Sequence, residues 1–406
     1  MRTEPSDRAD TWSGHRLVRA AVLTLAMGSG PLTIYALSAL SPLLIPELHL
    51  TRTQFGLLAT LAFVVAAPLS LAAGPAAELL GGYYGLLSLF VVSALSIAVL
   101  ASARSYTWLM CAVVLCAWCQ ALSNPLTNHL ISVHVPPREQ GALIGIKQSG
   151  VQISQFLSGL VLPWLGLLVG WRGTILVMIT PMLCGVLMTH RSLAPGPRRR
   201  AVRRGARRRP KLPTQVWVLT GYITLMAAGM QATNVYVPLF AHQELRFGPA
   251  AAGAIVAAVG GAGLVARIMW GAIADRVGRP LDVLAGLAGL SVLASALLLI
   301  AQHASLPWLA WGGATLHGVA ALPASVVVTL TLIRLTKSQG VGRASGVLAV
   351  GMFIGFATGP ASFGYIVDQS GDYTPAWLAV AGCYGLAAGL MFLRPVGLRR
   401  RASPSP

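Results

Sequence analysis

Acidic side chains are scarce in this chain. Its 406 residues hold 11 Asp and Glu against 30 Lys and Arg, a formal charge of +19, and charged residues of both signs make up only 10 %. Soluble domains carry about 25 %, so an ordinary water-soluble globular chain is excluded. Cysteine is sparse too, at five residues, all inside apolar stretches. Cys116 and Cys119 have CxxC spacing on one helix face but no further ligands nearby, so they are read as small packing residues, with neither a metal site nor a disulfide framework. There is no G-x-S-x-G, no H-E-x-x-H and no Walker loop, so neither an enzyme constellation nor a self-contained ATP-driven pump is expected, and no cofactor is implied.

What is abundant is apolar length. Hydrophobic residues make up 55 % of the chain and the mean hydropathy is +0.70. Runs of about 20 apolar residues, the length that crosses about 30 Å of hydrocarbon, recur throughout. Each must satisfy its own backbone hydrogen bonds and is therefore a helix. The pattern predicts an all-α membrane protein with twelve transmembrane helices, at about 18–44, 53–73, 83–102, 107–133, 142–168, 171–189, 215–241, 249–272, 281–302, 307–333, 343–366 and 374–394. The first run is too long for a cleavable signal peptide and is expected to remain as the first span.

The basic residues orient these spans. Counting loops from the N-terminus, 26 of the 30 Lys and Arg fall on one side and only Arg52, Arg104, Arg172 and Arg246 on the other. The positive-inside rule then predicts both termini in the cytoplasm. A nucleic-acid partner is not expected, because the basic residues are spread over short loops instead of forming a basic face with aromatic platforms. Contact with anionic lipid headgroups accounts for them. The run RRRAVRRGARRR reads as an unstructured linker, since like charges repel and nothing can be buried.

That linker, at 191–214, separates a six-helix bundle at 1–190 from another at 215–406. The halves echo each other at an offset near 200: Gly141, Gly145, Gly150 and Gly170 precede Gly342, Gly346, Gly351 and Gly371 by 201, and Tyr35 precedes Tyr236 by 201. Two pseudo-symmetric bundles with a site between them near mid-membrane are expected.

The strongest motif is GAIADRVGR after the eighth span, with Gly271, Asp275, Arg276, Gly278 and Arg279; its counterpart after the second span, GPAAELLGG, keeps Gly74, Gly81 and the acid Glu78 but no arginine. Here the chain resembles the major facilitator superfamily, whose loop signature is G-x-x-x-D-R-x-G-R. The resemblance covers essentially the whole chain and implies a bacterial secondary transporter of the cytoplasmic membrane, with this loop as a cytoplasmic latch. An acid at a helix N-terminus is the expected physical role of Asp275 and Glu78. Drug/proton antiporters of that superfamily usually have an arginine in the fourth span and a Gly-Pro motif in the fifth; both are missing here.

Intramembrane charge is costly and so usually functional. All eleven acids fall in loops, tails or span ends. Lys147 in the fifth span and Arg267 in the eighth are the intramembrane cations, each about 8–9 Å from the cytoplasmic end. They suggest a clamp for a small anion, with arginine offering a fork to a carboxylate. A span-eight arginine also resembles the substrate-binding arginine of monocarboxylate, oxalate and nitrate carriers in the superfamily. The competing roles are snorkelling to headgroups, or pairing with Asp275, Glu78 or Glu139 in a gate.

Polar stripes flank these cations. Gln148, Gln152 and Gln155 share one helix face, as do Gln120, Asn124, Thr127 and Asn128; Gln231, Asn234, Tyr35 and Tyr236 lie in spans that line the cavity in the superfamily. Candidate substrate contacts are Lys147, Arg267, Gln148, Gln152, Asn124, Tyr35, Gln231, Asn234 and Tyr236, and His317 is the candidate proton carrier, with His129 a weaker one. The leading reading is a monomeric secondary carrier of a small organic or inorganic anion, working by alternating access with protons as the candidate coupling ion. Efflux of a neutral or cationic drug-like compound is the alternative; it predicts cavity acids or a large aromatic pocket. Trp108, Trp171 and Trp308 sit at span ends, where an interfacial belt is expected.

Overall fold

The computed structural model describes residues 16–193, 212–277, 279–335 and 341–392. Both chain ends, the basic run 194–211 and Gly278 of the loop motif lie outside the described residues, and Asp275 is described only as a backbone position.

Every regular element among the described residues is a helix: α1 Arg16–Ala39, α2 Ser41–Glu47, α3 Arg52–Ala101, α4 Tyr106–His134, α5 Pro137–Val177, α6 Ile179–Ser192, α7 Thr214–Gln243, α8 Pro249–Val277, α9 Pro280–His303, α10 Pro307–Ala320, α11 Ala324–Leu335, α12 Val341–Ser370 and α13 Thr374–Phe392. Nine stretches among the described residues are long and apolar enough to cross a membrane, including the α5–α6 pair and the α10–α11 pair as one stretch each. The stretches fit a multi-pass membrane protein, with apolar side chains such as Leu71, Val265 and Ile268 turned outward.

The structure departs from the sequence pattern at the breaks. The loop expected at 74–82 is helical, and α3 runs 50 residues with its one break at Gly81, where φ is 66°. Similarly, α5 continues through Gly170, where φ is 73°, and Gly371, its partner at the 201-residue offset, has φ 69°. This left-handed backbone is open to glycine without steric cost. The expected first span divides at Leu40 into α1 and α2, and the tenth divides before Pro323 into α10 and α11. Helicity through the motif also corrects the expected role of its acids. Glu78 and Asp275 sit in the last turn before a break, not at a helix N-terminus, whereas Arg276 is placed favourably for the dipole there.

Helix packing repeats with the sequence. Gly150 of α5 lies against the Thr24 carbonyl of α1, and Gly351 of α12 lies against the Thr220 and Thr224 side chains of α7. Each crossing is close because no Cβ intervenes. Two further seams join the halves. Along α5–α8, Gly159 meets the Gly253 carbonyl and Gly260 meets the Phe156 amide; along α3–α12, Thr60 Oγ1 donates to the Ala357 carbonyl at 2.5 Å.

Away from the basic loops, at the low-charge end, Glu47 accepts from Trp171 Nε1 at 2.6 Å and pairs with Arg172. Trp171 is therefore buried, only 3 % exposed, and is not an interfacial belt residue, whereas Trp108 and Trp308 are exposed. The Arg172 hydrogen bond holds the Glu47 carboxyl below its ordinary value of 4.5. Because the folded value is the lower one, the stabilisation is present above 4.5 and is lost as pH falls through the folded value. Thermal unfolding in detergent micelles should thus show a stability loss on acidification below that range, and Arg172→Ala should flatten it. An unchanged slope in the variant would remove Glu47 as its source.

Candidate functional site

Lys147 is completely buried, and its ammonium is bound entirely by neutral oxygens of α4. Nζ donates to Asn124 Oδ1 at 3.0 Å, Thr127 Oγ1 at 2.7 Å and Asn128 Oδ1 at 2.6 Å. An ammonium has three N–H groups, so all are used. Gln148 joins the cluster, its Nε2 lying 3.4 Å from Asn124 Oδ1. The i, i+3, i+4 spacing of Asn124, Thr127 and Asn128 puts them on one face of α4. Lys147 is thus neither at the headgroups nor paired with Glu139.

Arg267 has the opposite surroundings. It forms no hydrogen bond or ion pair among the described residues, and its Nε is enclosed without a partner. Among the described residues the Tyr35 hydroxyl of α1 is near enough to feel its charge, and that hydroxyl makes no hydrogen bond to any of them. Arg267 thus lies where α8 meets α1 and α5 and feels the α1 hydroxyl of the other half. Register along the α5–α8 seam brings Arg267 level with the turn of α5 that carries Lys147: Gly253 meets Gly159 and Pro163, Gly260 meets Gln152 and Phe156, and one further step of seven residues reaches both cations.

The α5 stripe continues outward with unmet acceptors. Gln152 Oε1, Gln155 Oε1 and Ser158 Oγ are buried without partners, at i, i+3 and i+6. Gln155 Nε2 donates to Asn234 Oδ1 of α7 at 3.2 Å, and Ser38 Oγ of α1 donates to the Asn234 carbonyl at 2.6 Å. Asn234 is thus a tie between helices of the two halves. Gln231, one turn before it, is buried and makes no hydrogen bond among the described residues.

Two sequence candidates lie elsewhere. Tyr236 is in a seal at the low-charge end, stacked on Phe363 at 4.6 Å, with its hydroxyl donating to the Arg52 carbonyl at 2.5 Å. Its sequence counterpart Tyr35 lies instead near the charge of Arg267, so the repeat places the two tyrosines in different surroundings. His317 of α10 is 1 % exposed against Tyr384 of α13, whose hydroxyl is 3.4 Å from Nδ1, while Nε2 lacks a partner. α10 shares no packing seam with α4 or α5 among the described residues. In the loop motif, Gly271 is near Val326, Arg276 and Arg279 are exposed, and Arg334 Nη1 donates to the Ala274 carbonyl at 3.3 Å, tying α11 to the motif; Gly74 is in open space and Glu78 is exposed.

The seal itself was missed by sequence reasoning. Asp368, near the end of α12, accepts from the Arg52 amide at 3.2 Å, the Thr53 amide at 2.7 Å and Thr53 Oγ1 at 2.6 Å, and lies 3.7 Å from the Arg52 guanidinium. Arg52 Nε donates to Gln243 Oε1 of α7 at 3.2 Å, which also accepts from Tyr373 at 2.8 Å. The available signal was the scarcity of charge: Arg52 is one of four basic residues on its side, and Asp368 one of a few acids there. At the other end, Asn124 and Asn128 are exposed, and α4 and α11 share no packing seam among the described residues.

Comparison with known proteins gives the family. A hexuronate transporter of Bacillus subtilis (strain 168) is 22 % identical over 397 residues, covering 89 % of this chain and 90 % of that one. The fold is shared with a bacterial homologue of the human lysosomal transporter Spinster, crystallised in an inward-facing and occupied conformation, at a TM-score of 0.75 and 18 % identity over 97 % of this chain and all of that one. It is shared too with a variant of the nucleoside transporter NupG, at a TM-score of 0.73 and 13 % identity over 93 % and 99 % of the two chains. The sequence model of the Major Facilitator Superfamily matches residues 23–316 and 223–406, and this chain belongs to that superfamily of transporters.

Proposed function

We propose that the protein is a secondary carrier of a small, hydroxylated carboxylate, a hexuronate-like anion, and not an enzyme. The observation that carries this reading is Arg267, half-buried near the Tyr35 hydroxyl of the other half, with its Nε enclosed and unpartnered and no carboxylate paired to it among the described residues. A buried donor left unpaired costs about 1–3 kcal/mol, more when charged, and a bidentate carboxylate is its natural complement. The unmet acceptors on Gln152 and Gln155 suit the hydroxyl groups of a sugar acid. Similarity to a hexuronate transporter supports the same class. Tyr35, Gln152, Gln231 and Asn234 would surround the substrate with Arg267. Lys147, Asn124 and Gln148 lie beside this group but are bonded to one another.

In this reading the chain crosses the membrane twelve times. α3 and the α5–α6 pair each cross twice, and α7 adds one crossing to the nine apolar stretches. Both termini are then cytoplasmic, and 1–190 and 215–406 are two bundles that rock about the α5–α8 and α3–α12 seams. The Arg52–Asp368 seal closes the external end, and separation of α4 from α11 opens the cytoplasmic one.

The test is uptake by proteoliposomes of radiolabelled D-glucuronate and D-galacturonate, with the neutral sugar glucose and the cation tetraphenylphosphonium as controls. Saturable uptake of a uronate, inhibited by unlabelled uronate and not by glucose, is expected. Transport of the cation or the neutral sugar alone would replace this reading with efflux or uptake of an uncharged or cationic compound.

A further inference from the structure

We propose that Lys147 carries the proton coupled to substrate movement, an inference that rests on the anion reading above. The argument starts from what surrounds it. Lys147 is fully buried and its three partners are Asn124, Thr127 and Asn128, all neutral. A carboxylate partner would lock the ammonium in its charged form, whereas burial among neutral dipoles favours proton loss. The cage also fits both forms. Thr127 Oγ1 already donates to the Ser123 carbonyl at 2.6 Å, and its hydroxyl, like a rotated Asn128 amide, can instead donate to the lone pair of a neutral amine.

No other charge takes up the position. The neighbouring helices carry Arg267 and Arg276 on α8, Arg52, Glu78, Tyr83 and Tyr84 on α3, Arg19 and Tyr35 on α1, Tyr106, His129 and His134 on α4, His190 and Arg191 on α6, and Glu47 on α2; α5 itself carries Glu139 near its start and Arg172 near its end. None of them is bonded to Nζ. Arg267, the cation at the same level, cannot deprotonate. It stays a fixed charge, while Lys147 provides a variable one. Protonated from the external side, Lys147 adds a second positive charge near the anion. With the cytoplasmic side open, the anion leaves, Nζ gives its proton to water beyond the exposed Asn124 and Asn128, and the neutral amine remains in its cage. One proton and one monoanion thus move together without net charge.

The experiment uses the purified full chain in proteoliposomes, with D-galacturonate as probe and pyranine trapped inside to report protons. A gradient of about one pH unit, acidic outside, is worth about 1.4 kcal/mol per proton and drives about tenfold accumulation at one-to-one stoichiometry. Wild type should accumulate galacturonate to that degree with acidification of the lumen. Lys147→Arg keeps the charge but cannot release the proton; it should retain galacturonate exchange within about threefold yet lose accumulation and the pyranine signal. Asn128→Asp, which supplies a carboxylate to the cage, should do the same, and His317→Gln should keep all three. Accumulation preserved in Lys147→Arg, or exchange and accumulation lost in parallel in both cage variants, would overturn the proposal and leave Lys147 a helix clamp. Wild type that exchanges galacturonate without moving protons sinks the coupling role alone; wild type that exchanges neither uronate sinks the anion reading as well.

Discussion

Replacing Arg267 by methionine should abolish uronate transport and at the same time raise the thermal stability of the empty protein. The two effects share one cause. The guanidinium has no protein partner among the described residues and its Nε is enclosed, so the unliganded protein bears the desolvation cost alone. Removing such a group and filling its volume with apolar atoms relieves about 1–3 kcal/mol. The liganded protein behaves oppositely. Truncating one partner of a buried, hydrogen-bonded charge pair costs about 2–5 kcal/mol, or at least about 30-fold in binding. Arg267→Lys retains the charge without the fork and should fall between the two. Unfolding in detergent with and without galacturonate checks both signs. Wild type at about 100 times its Kd should gain about 2.7 kcal/mol, and the methionine variant at the same concentration at most about 0.9 kcal/mol. A methionine variant less stable than wild type would mean that Arg267 is a structural residue, and retained uptake would remove it from the site.

Asp368→Asn should open the low-charge end. Its carboxylate accepts from the Arg52 and Thr53 amides and the Thr53 hydroxyl, and faces the Arg52 guanidinium. Hydrogen bonds to charged groups contribute about 1.5–3 kcal/mol each. Losing the charge while keeping the shape should therefore cost the closed state about 2 kcal/mol, which moves a two-state ratio about 30-fold. The check is the rate at which a membrane-impermeant maleimide labels a cysteine placed at Ala59, which is buried just beneath the seal, in a background free of the five native cysteines. Labelling should accelerate by a similar factor in the Asp368→Asn background. An unchanged rate would show that the seal does not hold the end shut.

The long apolar runs made the helices and their repeat legible, because hydrocarbon thickness and the need to satisfy backbone groups leave few alternatives. Lys147 and Arg267 stood out for the same reason, as charges where charge is costly. Their partners were less legible. A polar stripe at i, i+3, i+4 fixes one helix face, but not the rotation of that helix in the bundle. Asn124 and Gln148 therefore read as substrate contacts although they surround Lys147, and Tyr236 read as a cavity residue although it points into the seal. The breaks at Gly81 and Gly170 were misread as loops because a single left-handed glycine turns the chain without any polar segment. The link between Asp368 and Thr53 spans 315 residues, a distance over which hydrophobic periodicity carries no information.

The start of α3 is capped twice, by Thr51 from its own strand of sequence and by Asp368 from the far half. Only the first cap travels with the helix. In the rocking motion proposed above, parting of the bundles at that end exchanges the carboxylate on two amides and a hydroxyl for water, and their meeting returns it. In that motion the helix terminus is a ratchet tooth gripped through two backbone amides as well as the Thr53 hydroxyl and the Arg52 guanidinium, so truncating either side chain loosens the grip without releasing it.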